Sequence, residues 1–168
     1  MISDDGVTPI LMDFGSALPA RIPIPDRRTA LLQQDLAAEH CSMPFRAPEL
    51  FDVSCPFSSL LFPLSRSLTD LHSSMKQVKT GQDLTEAVDI WSLGCTLYCM
   101  AYSTSPFETT QESSHGGSIA MAVLNGKYSF PNEGSYSEGL KEIVRECLRV
   151  KPNERPGIDQ VKLSISFF

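Results

Sequence analysis

Asp89-Ile90-Trp91-Ser92-Leu93-Gly94-Cys95-Thr96-Leu97-Tyr98 decides the reading of this chain. From Ile90 to Tyr102 the apolar residues fall on every side of a 3.6-residue period, the signature of a helix buried in a core. Leu84 to Asp89 leads into it, and an acidic residue near its start suits both a helix cap and the positive end of the helix dipole. Trp91 is most simply a core residue. Downstream, Ser118 to Leu124 reads as a short helix stopped by Asn125-Gly126. Ser137 to Val150 carries Leu140, Ile143, Val144, Cys147 and Leu148 at helical spacing, and Lys151-Pro152-Asn153 ends it. Gly157 to Phe168 begins another helix.

Upstream the chain is less regular. Val7 to Met12 is a β-prone run after the turn signal Asp4-Asp5-Gly6, so a short strand is expected there. Residues 16–28 hold three prolines and three arginines and read as loop. Ala30 to His40 is rich in helix formers with apolar spacing near 3.6, which predicts a short helix. Residues 54–79 are rich in Ser, Leu and Pro, with no clean period. They read as an insertion, either a mobile loop or a segment that comes from an unspliced intron or a faulty gene model.

Composition narrows the classes. The 168 residues suffice for one domain, and their apolar and charged content is that of a globular protein. A net charge of -6 argues against binding nucleic acid or an anionic membrane, both of which call for clustered Lys and Arg. No run approaches the roughly 20 apolar residues of a membrane span. Met1-Ile2-Ser3-Asp4-Asp5 has no signal-peptide character and no Gly at position 2, so acylation there is not expected. The five cysteines form no CxxC, and Cys95 and Cys99, one helical turn apart, read as buried core thiols. The three histidines show no metal-ligand spacing. A reducing setting, cytoplasmic or nuclear, is expected, with the cytoplasm taken as the location.

Around the central helix stand three further patterns in fixed order. Asp13-Phe14-Gly15 follows the strand-like run, Ala47-Pro48-Glu49 comes before the helix, and Arg155-Pro156 comes after it. Together with Asp89 to Gly94, this ordered set resembles the C-terminal lobe of a eukaryotic protein kinase. Leu11 to Ala17, Phe45 to Phe51 and Trp91 to Tyr98 are similar to the Numb-associated kinase group, and within it to the myristoylated and palmitoylated serine/threonine kinases. That branch carries a helical elaboration around its activation segment, in line with the long region from 13 to 89.

The resemblance implies a mainly α fold: a kinase-like lower lobe with a short strand before Asp13 and several helices. Residues 1–168 would be a partial kinase domain, with an activation segment over 13–49, the insertion over 54–79 and a helical lobe over 83–168. It implies ATP and Mg²⁺ as cofactors and protein substrates as partners. Asp13 would be the Mg²⁺ ligand, Phe14 the packing switch and Gly15 the hinge. Ser42 stands where the family has a threonine whose hydroxyl bonds the catalytic loop, and Phe45 stands where it has tyrosine. Thr29, beside Arg27 and Arg28, invites a phosphosite reading within the activation segment. Glu49 and Arg155 would form a largely buried ion pair. Asp89 would brace the catalytic loop, or, without that loop, serve as a cap.

The 168 residues contain no Gly-rich loop, no Val-Ala-Ile-Lys strand and no His-Arg-Asp loop. The upper lobe, the phosphate lysine and the catalytic base are therefore missing from the expected set. The chain on its own is expected neither to bind ATP tightly nor to transfer phosphate. In the family the buried helix also packs on a helix upstream of the catalytic loop, so exposed apolar surface is expected. A second reading, of another class, is a non-catalytic module that docks partners through the helical lobe.

Overall fold

A computed structural model describes residues 3–4, 6–8, 10–51, 83–108, 118–131 and 136–166. Among these, five α-helices carry the fold: α1 Arg27–His40, α2 Ala87–Tyr102, α3 Ile119–Leu124, α4 Glu138–Cys147 and α5 Ile158–Ser166. Short 3-10 turns at Phe14–Ser16, Met43–Phe45, Pro48–Leu50 and Pro152–Glu154 join them.

The central helix is α2. It buries Ile90, Trp91, Gly94, Cys95 and Tyr98, and it ends where Ser103 turns left-handed at φ 58° and donates its N–H to Cys99 O. Its partner is α4, whose Ser137 cap accepts from Leu140 N at 3.3 Å and whose Ile143, Val144 and Cys147 are buried. The two backbones meet at Gly94. A Cβ there would lie 2.7 Å from Cys147 Cβ and 3.0 Å from Leu148 Cδ2, so only glycine allows this approach. The opposite face of α4 is a ladder of exposed ion pairs, Glu138–Lys141, Glu142–Arg145 and Glu146–Arg149. Pairs of this kind add little stability and chiefly keep that face wet.

Aromatic side chains fill the space between α2 and the segments around α3. Trp91 stacks on Phe107 with centroids 5.5 Å apart. Tyr98 tilts against Phe130 and donates its hydroxyl to Ser129 O at 2.7 Å. Gly126, at φ 59°, ends the turn after α3 against Val150, where a Cβ would clash at 2.7 Å. The last helix, α5, seals the lower edge with Val161 beside Ile143, Ile90 and Cys147.

Several expectations need correction. Among the described residues of 7–12 no strand forms, and Val7, Leu11 and Met12 are exposed. A strand exists only through ladder bonds to a neighbour, and among the described residues the one β-type pairing is the isolated antiparallel bridge of Ile22 and Leu84. The helix expected from Ala30 starts at Arg27, because Asp26 caps it by accepting from Thr29 N at 2.8 Å. Asp89 is not the cap of α2. Glu86 holds that position, and Asp89 is an exposed residue of the first turn. Cys95 is fully buried, as expected for a core thiol, but Cys99 is only half-buried. The 54–79 segment lies outside the described residues.

Exposed apolar side chains do occur: Met100 is 76% exposed and Leu163 61%, well above the values of their neighbours in the core. No helix of the described residues is long and apolar enough to cross a membrane.

Candidate functional site

Asp13 sits at φ 63° and ψ 71°, the left-handed region, and its Oδ1 accepts from Gly15 N at 3.4 Å. Aspartate is one of the few non-glycine residues that enter this region readily, because its short carboxylate can bond the local backbone. The turn Phe14–Ser16 follows directly. Asp13 is exposed, and Phe14 is 66% exposed, so the ring rests in no pocket. Mg²⁺ demands an octahedron of hard oxygens, of which proteins commonly give one or two carboxylates while phosphates and water complete the set. Among the described residues no group of three or more His, Cys, Asp or Glu side chains could hold a metal. Asp13 therefore offers one ligand, and these residues alone do not fit a Mg²⁺–nucleotide site.

Thr29 is half-buried in the first turn of α1, and its N–H is engaged by Asp26. That bond, with help from the Thr29 hydroxyl, holds the Asp26 carboxyl below its ordinary range. Arg27 and Arg28 are exposed beside it. Ser42 is exposed and precedes the turn Met43–Phe45, and its carbonyl accepts from Phe45 N at 3.0 Å. Asp89 makes no side-chain hydrogen bond among the described residues.

Glu49 and Arg155, distant in sequence, meet. Arg155 Nη1 and Nη2 donate to the two carboxylate oxygens of Glu49, each at 2.7 Å. The Arg155 side chain has no solvent exposure and that of Glu49 has 15%. The remaining donors of the guanidinium are also used. Nε reaches Arg149 O at 2.8 Å, Nη1 reaches Ala87 O at 2.7 Å and Nη2 reaches Val150 O at 3.1 Å. All five N–H groups of the planar fork thus have an acceptor, which is the condition for burying it. The guanidinium also lies 5.0 Å above the Trp91 ring. One side chain ties the start of α2, the end of α4 and the Pro48–Leu50 turn into a single unit.

Sequence reasoning missed two further fasteners. Ser92 Oγ donates to Phe45 O at 3.1 Å, fixing the segment before Glu49 onto α2, and it shares that proton with Val88 O at 3.2 Å. Its signal was a small hydroxyl side chain within a largely apolar helix. Arg46 Nη2 donates to Cys41 O at 2.8 Å and to Ala38 O at 3.4 Å, and its guanidinium lies 5.2 Å over the Phe51 ring. No local pattern announced that role.

An open cleft of about 770 Å³ runs between α4 and α5, with Ile143 and Val161 at its base and Glu142, Glu146 and Glu154 at its rim. Those carboxylates are each paired, with Arg145, Arg149 and Lys151. Neither Asp13 nor Ser42 lines it.

The buried Arg155, paired with Glu49, thus clamps the segment before α2 onto that central helix. Residues 68–167, more than half of the chain, match the family model described as the protein kinase domain, and the chain belongs to that family. Serine/threonine-protein kinase ppk13 of Schizosaccharomyces pombe is 44% identical over 147 residues, covering 88% of this chain and 35% of its own length. Serine/threonine-protein kinase ENV7 of Saccharomyces cerevisiae is 34% identical over 161 residues, covering 96% and 37%. Serine/threonine-protein kinase 16 of Homo sapiens is 34% identical over 158 residues, covering 94% and 42%. The chain thus spans between 35% and 42% of the length of these relatives.

Proposed function

We propose that residues 1–168 form the activation segment and helical lobe of a serine/threonine protein kinase of the Numb-associated group. The reaction of the whole enzyme is transfer of the γ-phosphoryl group of ATP, with Mg²⁺, to a Ser or Thr hydroxyl of a protein. The observation that carries this reading is the bidentate Glu49–Arg155 pair, which docks the segment opened by Asp13 onto α2. In this reading Asp13 is one metal ligand, Phe14 and Gly15 let its turn change course, and Thr29 and Ser42 are hydroxyls of the activation segment. Asp89, exposed and without a side-chain bond among the described residues, is free to brace a catalytic loop supplied from elsewhere. A reducing, cytoplasmic setting is part of the same proposal, in keeping with an odd number of cysteines and no CxxC.

The base and the phosphate lysine do not occur in the 168 residues, so the chain by itself does not transfer phosphate. Incubation with Mg²⁺–ATP and a generic protein acceptor yields no incorporation above a no-enzyme control. Incorporation that disappears in Asp13→Ala would overturn this. The family reading has its own test: a chimera joining the upstream part of serine/threonine-protein kinase 16 to residues 13–168. The folded chimera phosphorylates Ser or Thr and loses that activity with Asp13→Ala. A folded but inactive chimera favours the second reading, a docking module, which the exposed Met100 and Leu163 support.

A further inference from the structure

We propose that Arg46 is a positioning residue that couples the Asp13 turn to the segment before Glu49, through the last turn of α1. The inference stands on contacts alone and holds whether or not the parent transfers phosphate.

The last carbonyls of a helix lack partners within it, and the negative end of the dipole favours a cation. Arg46 meets both needs at the end of α1, since Nη2 donates to the carbonyls of Ala38 and Cys41. Its guanidinium also covers Phe51, whose carbonyl accepts from Gln34 Nε2 on the same helix at 3.5 Å. Arg46 Nε is buried with no acceptor among the described residues. An orphaned buried donor is costly, and here it is offset by the two carbonyl bonds and the ring. The side chain is therefore held in place by its far end, as a clamp on α1.

The same helical turn reaches the other way. His40 Nδ1 lies 3.4 Å from Ser16 Oγ, in the turn that follows Asp13. Asp13 itself holds φ 63°, with its own carboxylate accepting from Gly15 N one residue before Ser16. The contacts run without a break from Phe51 and Arg46, to Ala38 and Cys41, to His40, to Ser16. Both the Ser16–His40 contact and the Asp13 turn lie at the surface, so this end of the chain of contacts is the readily released one.

Backbone NMR of the isotope-labelled 168-residue chain tests the coupling, with Arg46→Met, Arg46→Lys and His40→Phe. In Arg46→Met, amide exchange at Cys41, which now bonds Ala37 O at 2.9 Å, accelerates about two- to fivefold, the loss of a cation at a helix C-terminus. The signals of Gly15, Ser16 and Ala17 move as well, while amides from Ser92 to Ser103 keep their protection. Arg46→Lys, which keeps the charge but not the fork, gives smaller changes of the same pattern. His40→Phe moves Gly15 to Ala17 and leaves Cys41 as it was. Unmoved Gly15 to Ala17 signals in Arg46→Met overturn the coupling. So does equal loss of protection in α1 and α2, which would mark a general loosening. Should Arg46→Met fail to fold, Arg46→Lys is read against the same two outcomes.

Discussion

Removing the Glu49 carboxylate should cost a large share of the stability with which α2 and α4 are held together. In Glu49→Ala the Arg155 guanidinium stays where no solvent reaches it and keeps three backbone carbonyls but no counter-charge. Breaking one side of a buried pair costs about 3–5 kcal/mol, against a total stability of roughly 5–15 kcal/mol for an ordinary domain. Arg155→Ala should cost about as much, since it strands those carbonyls and uncovers the Trp91 face. The double variant leaves no unpaired charge, so its loss should fall short of the sum of the two by about 2 kcal/mol or more. The assay is urea unfolding followed by fluorescence of Trp91, the single tryptophan, which lies against the pair. Losses additive to within about 0.5 kcal/mol would refute the coupling and, with it, the docking of the Glu49 segment on α2.

Gly94→Ala forces a methyl to 2.7 Å from Cys147 Cβ, and overpacking of that kind should cost about 1–3 kcal/mol, read as a lowered urea midpoint. Ser137→Ala removes the cap of α4 and should cost about 1 kcal/mol by the same measurement. Burial pushes the Cys95 thiol up to about 12 and the Cys147 thiol up to about 11, from an ordinary 9.0. Between pH 9 and 11 these thiols ionise in the unfolded chain but not in the folded one, so the unfolded state binds fewer protons. Stability is therefore level below pH 9 and falls above it, by about 1.4 kcal/mol per pH unit for each thiol. Cys95→Ala should flatten that alkaline slope in a pH series of urea midpoints, and an unchanged slope would count against its burial.

Periodicity made the helices legible. The apolar run from Ile90 to Tyr102 and the spaced Ile143, Val144 and Cys147 each announced a helix, because burial of a face leaves a period in the sequence. Boundaries were less so. Asp26 begins α1 three residues ahead of the apolar pattern, since a cap depends on one hydrogen bond rather than on a period. Asp89 looked like a cap because of its charge, yet it lies inside the first turn of α2, and Glu86, the residue before the helix, makes no side-chain cap bond. The run Val7 to Met12 has strand composition, yet its described residues form no strand, because β structure is a property of pairs of segments. In the site, the meeting of Glu49 and Arg155 came from the family resemblance. Nothing in the sequence around Arg46 or Ser92 names the carbonyls they reach, because those acceptors belong to the main chain and leave no mark on residue identity.

The Glu49–Arg155 pair spans 106 residues of chain. At a synthesis rate of about 5–20 residues per second, Glu49 leaves the ribosome's catalytic centre roughly 5–20 s before its partner is even made. Through the later part of that wait the nascent polypeptide carries Trp91 and the greasy core of α2 with no latch to close over them, an interval open to chaperones. A message cut short anywhere before the codon for Arg155 would yield a product that never leaves that vulnerable stage, and cellular quality control would meet it as a client for degradation.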